Sequence, residues 1–401
     1  MIYLFVQNMT SAGDTVVMPN MYDLLSQLQQ AAPEFINNYC VINGAIFALD
    51  EIEKMGYDEF GLQAKFNMPM KLYKYFPNVA KEEKAEDWNT THINYSLQAL
   101  KSNCVYLNSP DQFDDPYDSD IYVPWEEYSI LRLKQYANWG GCDANTITRV
   151  EDAGYALSQK MYSALTNGKD IESIFSADER QEGEKLSISL FCLRIKSELG
   201  SKQDWHESIA QALRIEYSDF VKSIQRMFRV SCFATTPFSQ LMWGGAYADC
   251  HRGFCIEYTV DPNNLQYKDV YYNLFPVVYC KTRKKVTENM MCVQDAILSK
   301  EGLWDIYFHG ALRKSFDWAY QNEWRLLLPG NYKDAGFTKK FFPITKVYLG
   351  NRMPSEKRKE VIEICHEKNI PYIGVTRAGN RFEMQECNTL CENCPQYIME
   401  K

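Results

Sequence analysis

A mixed α+β fold is predicted by three features of the sequence. Short runs rich in Val, Ile, Phe, Tyr and Cys read as strands at Leu72–Pro77, Cys104–Pro110, Val230–Thr236, Gly253–Val260, Pro276–Cys280, Glu323–Leu328, Ile344–Gly350 and Pro371–Arg377. From Trp125 to about Arg229 the apolar residues instead recur at spacings of three and four, as in ILRLKQYANW and IAQALRIEYSDFVKSIQRMF, the mark of amphipathic helices. The strands are scattered between helical blocks, which favours an α+β domain over a regularly alternating, doubly wound sheet.

Taken in order, residues 1–65 hold two amphipathic stretches, Met21–Gln30 and Ile42–Met55, with Pro33 between them, and read as an N-terminal helical extension. After the strand LYKYFP a helix is expected across Thr91–Ser102, then the strand CVYLNSP and an acidic, Pro-containing loop, Asp111–Asp120. The helical block 125–229 reads as an insertion packed on the sheet. A longer helix is expected over Asn289–Ser315, followed by the strand EWRLLL. The closing pattern is strand, helix and strand, with Ser355 as N-cap of the helix Ser355–Asn369. The expected organisation is thus an extension (1–65), an α+β core (66–380) carrying the insertion, and a Cys-containing tail (381–401).

Bulk properties narrow the class. With 401 residues and 46% hydrophobic content the chain can bury a large core, and its 27 Tyr argue against disorder. The net charge of -9 opposes non-specific nucleic-acid binding, which needs a basic surface. No apolar run reaches the roughly eighteen residues of a membrane-spanning helix. The start, MIYLFVQNMTSAGD, lacks the basic flank and cleavage site of a signal peptide. The 13 Cys sit mostly singly in apolar patterns, as buried reduced thiols do. A soluble, cytoplasmic protein is expected.

The segment Ser231–Val260, SCFATTPFSQLMWGGAYADCHRGFCIEYTV, begins and ends as strands but carries a mixture that packing alone does not need. Gly244-Gly245 permits close approach or a sharp turn. Trp243 and Tyr247 offer flat faces with a polar handle, and Asp249, His251 and Arg252 add ionisable groups. Three other pieces share this character: Tyr73-Lys74-Tyr75, Asn108 to Asp118, and Trp318 to Arg325. Distant segments converging on rigid elements build sites.

Each piece has a plain reading beside the functional one. Lys74 is either one outward charge between core tyrosines or a cation in an aromatic-walled cleft. The acids Asp111, Asp114, Asp115 and Asp118 suit an oxygen-ligated metal or ordinary turns, and the loop lacks the glycine and terminal Glu of a calcium loop. Glu323 and Arg325, two apart on a strand, share a face and pair easily; the alternative is a carboxylate facing a pocket. Cys387, Cys391 and Cys394 have thiolate-site spacing without an obvious fourth ligand, so a plain tail is the default and no metal ligand is assigned. Cys250 beside His251 would need a turn to cooperate in nucleophilic catalysis. No phosphate loop, dinucleotide fingerprint, zinc-protease helix or serine-hydrolase elbow is present.

The same four pieces resemble a mostly bacterial family catalogued as domain of unknown function 2971. Its pattern runs from a strand like LYKY through LYFSSPxxFNDPFD and CFS…LMWSHYADxHKGFCIEF to WxYExEWRL. The matching segments here are Leu72–Tyr75, Val105–Asp118, Cys232-Phe233 with Leu241–Tyr258, and Trp318–Leu326. Three departures stand out: Gly244-Gly245-Ala246 replaces the family's Ser-His, Gln321 replaces the first Glu of YExE, and Asp114-Asp115-Pro116 replaces Asn-Asp-Pro. The layout is similar to ADP-ribosyltransferases, which implies a mixed, mostly antiparallel central sheet and use of NAD or another nucleotide. On that analogy Glu323 and Tyr247 are catalytic candidates, while Lys74, Tyr75, Trp243 and Arg252 hold the cofactor. The resemblance further implies a place among bacterial phage-defence proteins. Two other readings stay open: a non-catalytic sensor or interaction module binding a phage component or a nucleotide signal, and a metal-dependent nuclease using Asp114, Asp115, Asp118 and Glu257.

Overall fold

The computed structural model describes residues 35–84, 90–113, 115, 117–175, 180, 182–202, 205–286, 304, 306–330 and 336–387. In chain order the first strands are β1 (Tyr39–Ile42), β2 (Ala45–Ala48), β3 (Lys71–Phe76), β4 (Lys81–Lys84), β5 (Thr90–Ile93) and β6 (Cys104–Asn108). After the helical block come β7 (Phe228–Phe233), β8 (Phe254–Thr259), β9 (Leu274–Pro276), β10 (Val278–Cys280) and β11 (Arg313–Ser315). The last are β12 (Trp324–Pro329), β13 (Gly336–Lys340), β14 (Ile344–Leu349), β15 (Tyr372–Arg377) and β16 (Met384–Glu386).

These strands form a four-stranded sheet in the order β11-β10-β1-β2, a five-stranded sheet β13-β6-β7-β12-β9, a second five-stranded sheet β16-β15-β14-β8-β3, and the pair β4-β5. Among the described residues the ladders are antiparallel except β10 with β11 and β14 with β15. The mixed α+β class and the dominance of antiparallel pairing are therefore as expected.

Alternation along the strands decides where the core lies. Leu72, Phe254, Ile256 and Tyr258 of one five-stranded sheet share a core cluster with Val105, Phe233, Trp324 and Leu326 of the other. A backbone bridge between Tyr73 and Ala234 joins the two sheets, with N···O distances of 2.9 and 2.7 Å. It brings Lys74 of β3 over β7. The expected insertion is helical, with helices Trp125–Trp139, Ala153–Thr166, Glu182–Lys202 and Trp205–Gln225 around their own core of Leu133, Leu157, Phe191, Ile195 and Leu213. A buried polar group crosses that block: Glu216 accepts from Arg132 at 2.5 Å and from the Tyr136 hydroxyl at 2.9 Å. No helix among the described residues is long and apolar enough to cross a membrane.

Several expectations are corrected. The helix expected over Ile42–Met55 is instead the end of β1, a turn, β2 and a short helix, Leu49–Lys54. The reason is the Asn43-Gly44 dipeptide, whose φ angles of 48° and 80° suit a tight hairpin turn. Thr91–Ser102 divides into β5 and the helix Tyr95–Ser102, because the Asn94 side chain caps the latter by accepting from the Leu97 N–H at 3.2 Å. The described end of Asn289–Ser315 is a wide turn, Tyr307–Ala311, followed by β11. Pro354, not Ser355, occupies the N-cap position of the helix Ser355–Glu367, and no side chain caps that end. The run Pro276–Cys280 splits between two sheets: β9 pairs with β12, while β10 pairs with β1. The stretch Met21–Gln30 and the first part of Asn289–Ser315 lie outside the described residues.

Gly253 shows how tightly β8 enters its sheet: a Cβ built there would lie 1.9 Å from the Phe76 carbonyl oxygen. Gly244 meets nothing within 4 Å. Gly253→Ala is therefore expected to destabilise the protein by about 2 kcal/mol or more through backbone displacement. Gly244→Ala, on a short helix, should be neutral or slightly stabilising, within about 1 kcal/mol. Urea denaturation of the two variants beside the parent checks this; equal midpoints would refute the close approach at Gly253.

Candidate functional site

The site is built around β12. Side chains two apart on a strand share a face, and Glu323, just before β12, lies on the same side as Arg325. Arg325 Nε donates to Glu323 Oε1 at 2.7 Å. Arg325, fully buried, also places Nη1 2.7 Å from Asp118 Oδ1 and Nη2 2.9 Å from Asp118 Oδ2. Its Nη1 also donates to Ser119 Oγ at 3.0 Å and to the Ala311 carbonyl at 2.6 Å. From β11, Lys314 Nζ reaches Asp118 Oδ2 at 2.9 Å and Glu323 Oε2 at 3.2 Å. Two carboxylates and two cations thus meet in the interior with balanced charge.

Burial opposes ionisation of Asp118 and Glu323, but Arg325 and Lys314 outweigh it and hold both carboxyls below their ordinary range. Burial likewise opposes charge on Lys314, and Glu323 and Asp118 reverse that, raising its pKa. All four groups are charged at neutral pH.

Above this quartet lies a polar route outward. Lys314 Nζ donates to Gln321 Oε1 at 2.9 Å, and Gln321 Nε2 donates to the Tyr247 hydroxyl at 2.9 Å. Tyr247 is 41% exposed, so its ring carries the chain of hydrogen bonds to the surface. Burial, against the pull of Lys314, pushes the Tyr247 phenol up. The Lys314 ammonium also lies 5.2 Å from the centre of the half-buried Trp318 ring.

Lys74 approaches from β3. Its Nζ donates to Ser231 Oγ and to the Cys232 carbonyl, each at 3.0 Å, and lies 5.1 Å from the Phe233 ring centre. These acceptors are neutral. Burial therefore lowers the Lys74 pKa, and the fields of Cys232 and Glu323 only partly offset it. Of the sequence candidates, Glu323, Tyr247 and Lys74 gather around the quartet.

The other candidates lie elsewhere. Trp243 is fully buried, its indole N–H donates to the Pro237 carbonyl at 2.7 Å, and it meets Tyr75 edge-on at 5.3 Å. Tyr75 in turn donates to the Thr236 carbonyl at 2.9 Å. Both rings belong to a core cluster with Ala248, Cys255 and Val375 and stack on no open face. Arg252 forms a two-pronged pair with Asp249, at 3.0 and 2.7 Å, three positions back. That pair stands on a turn in which Asp249, Cys250 and His251 all have positive φ, 48°, 52° and 68°. The turn sets the His251 ring against Trp243, centroids 6.2 Å apart.

The acidic loop acts chiefly through turns and ion pairs. Asp111 pairs with Arg226 at 2.9 Å, Asp120 with Arg283 at 2.6 Å, and Asp115 accepts from the Tyr117 N–H at 2.9 Å. Asp114 lies outside the described residues. Glu257 sits in a separate group on β8, held by Lys71 at 2.9 Å, Thr345 at 2.9 Å, Tyr348 at 3.0 Å and Tyr73 at 3.2 Å. Among the described residues no group of three or more His, Cys, Asp or Glu is arranged to hold a metal ion. Cys387 is buried, and Cys391 and Cys394 lie outside the described residues.

Sequence reasoning missed Lys314 and the bridging role of Gln321. Lys314 was absorbed into an expected helix; its alternation in LRKSF was the available signal. Removing Arg325 leaves two interior carboxylates under-compensated, so Arg325→Met is expected to cost about 3–5 kcal/mol. Because the folded pKa values of Asp118 and Glu323 are depressed, their stabilisation holds above the ordinary carboxylate range and is lost as pH falls through the depressed values. In Arg325→Met the acid-unfolding limb should begin at higher pH. Circular dichroism against pH and urea checks both; an unchanged limb would refute the pairing.

Residues 242–326, which contain Tyr247, Lys314, Gln321, Glu323 and Arg325, match a family model described as protein of unknown function (DUF2971). No curated protein and no solved structure matches the chain. The segment that supplies most of the site is thus similar to the DUF2971 family of proteins of unknown function.

Proposed function

We propose that the chain is a nucleotide-using enzyme of the ADP-ribosyltransferase type, with NAD as the first candidate substrate and Glu323 as the carboxylate that meets the ribose. The observation that carries this reading is the gathering of Glu323, Gln321, Lys314 and the half-exposed Tyr247 in one hydrogen-bonded group, with Lys74 beside it. An ionised carboxylate at a strand end can accept a ribose hydroxyl. Tyr247 offers a face for a flat ring. Lys74, whose present acceptors are neutral, has capacity for a phosphate oxygen. In the reaction the bond between ribose C1′ and nicotinamide breaks, nicotinamide leaves with the electron pair, and an acceptor nucleophile bonds to C1′ and gives up its proton. Glu323 would stabilise the cationic sugar between those steps.

A second reading, a nucleotide-binding sensor without turnover, is favoured by one detail. Glu323 Oε1 is held by Arg325 and Oε2 by Lys314, so a ligand would share oxygens already engaged. Gln321 in place of a second carboxylate points the same way. The two readings separate experimentally. Incubation with NAD, followed by chromatography of released nicotinamide, is expected to show turnover that Glu323→Gln lowers by about a hundredfold or more. Lys74→Met should weaken binding by about tenfold or more, read by calorimetry, for loss of one charge-assisted hydrogen bond. Binding that depends on Lys74 without turnover supports the sensor, and neither binding nor turnover sinks both.

A further inference from the structure

The helix Glu182–Lys202 is apolar on two opposite sides. One side, Ile188, Phe191, Cys192 and Ile195, is buried in the core of the helical block. On the other, Leu186, Leu190 and Leu193 are 61%, 40% and 63% exposed. Their spacing of four and three is that of a helix–helix seam, in which side chains of one helix fill gaps between those of its partner. Isolated exposed leucines are ordinary, but three in register on one helix make a stripe.

The charges flanking the stripe identify its occupant. Glu182 stands on its N-terminal side and Lys196 on its C-terminal side, fourteen residues apart along the chain. A helix with acid at one end and base at the other is complementary to itself when turned end for end. We infer that this helix pairs with the same helix of a second copy of the chain, antiparallel about a two-fold axis near Ser189. In that register Leu186 lies within about two residues, roughly a 3 Å rise, of level with the partner's Leu190, and Leu193 is offset by the same amount from the partner's Gly183, whose lack of a side chain permits close approach. Glu182 then faces the partner's Lys196 at each end. A two-fold contact of this kind closes on itself and leaves no further stripe to propagate.

Both charges have exchangeable partners within the chain: Glu182 lies 3.1 Å from Lys185, and Lys196 lies 2.6 Å from Asp170. Such exposed pairs contribute little and can rearrange on association. One helix pair buries less area than a permanent dimer needs, so the association is expected to be reversible and concentration-dependent. The interface is remote in sequence from the residues around Glu323 and does not rest on the activity proposed for them.

Sedimentation of the full chain over a wide concentration range tests this. The expected result is a monomer–dimer equilibrium that Leu190→Glu weakens by at least about tenfold, since a carboxylate would be forced into an apolar seam. Single charge changes give the register: E182K and K196E should each weaken the dimer, and the double variant E182K/K196E should restore it. Leu190 is exposed, so its variant should keep the parent's circular dichroism and urea midpoint. A chain that stays monomeric, or a dimer indifferent to Leu190→Glu, overturns the inference. Failure of the double charge change to restore association overturns the antiparallel register.

Discussion

Arg325, wholly buried between Asp118 and Glu323, is the constraint on which the centre of this protein depends. A guanidinium cannot shed its charge in a protein interior, so everything around it must supply acceptors. Those acceptors come from three places: the acidic loop, through Asp118 and the Ser119 hydroxyl, the strand start at Glu323, and the Ala311 carbonyl. The fork geometry demands that each be in place at once, which locks the loop before the helical block to β12, an interior strand of its sheet. Lys314 then balances the second carboxylate and ties in β11.

A closed quartet of this kind is costly to build and more costly to break. It also leaves a fixed electric field in a dry interior, where charges act strongly on whatever lies nearest. Tyr247 and Gln321 carry that field toward the surface, and Lys74 adds a cation whose acceptors are neutral. The same groups that hold the sheet together thus form the chemical surface of the candidate site. In the proposed function, binding at Glu323 competes with this network: every hydrogen bond its carboxylate accepts from Arg325 and Lys314 is one that a ligand must share.

The turn Asp249-Cys250-His251 illustrates a different economy. Three successive residues with positive φ are strained unless the surroundings over-determine them. Here the His251 N–H donates to the Trp243 carbonyl at 2.8 Å, and the His251 carbonyl accepts from Arg352 at 3.0 Å. The Asp249–Arg252 pair closes the turn on itself. The signature motif that looks most like chemistry in the sequence therefore acts largely in setting the path of the chain into β8, while its Tyr247 alone reaches the polar group at Glu323.

What the sequence determined by itself was local: the Val, Ile and Tyr runs that become β3, β6, β7, β8, β12, β14 and β15, the helical block, and the same-face pairing of Glu323 with Arg325. These follow from periodicity, a property of neighbours along the chain. The Asn43-Gly44 hairpin was also written there, though a helical spacing of apolar residues across it concealed the turn. Tertiary structure alone decided that Asp118 and Lys314, 207 and 11 positions before Arg325, complete its partners. It likewise turned Trp243 and Tyr75 into core contacts and left Tyr247 half exposed. Charge compensation and ring burial depend on which distant strands share a face, and no local spacing carries that information.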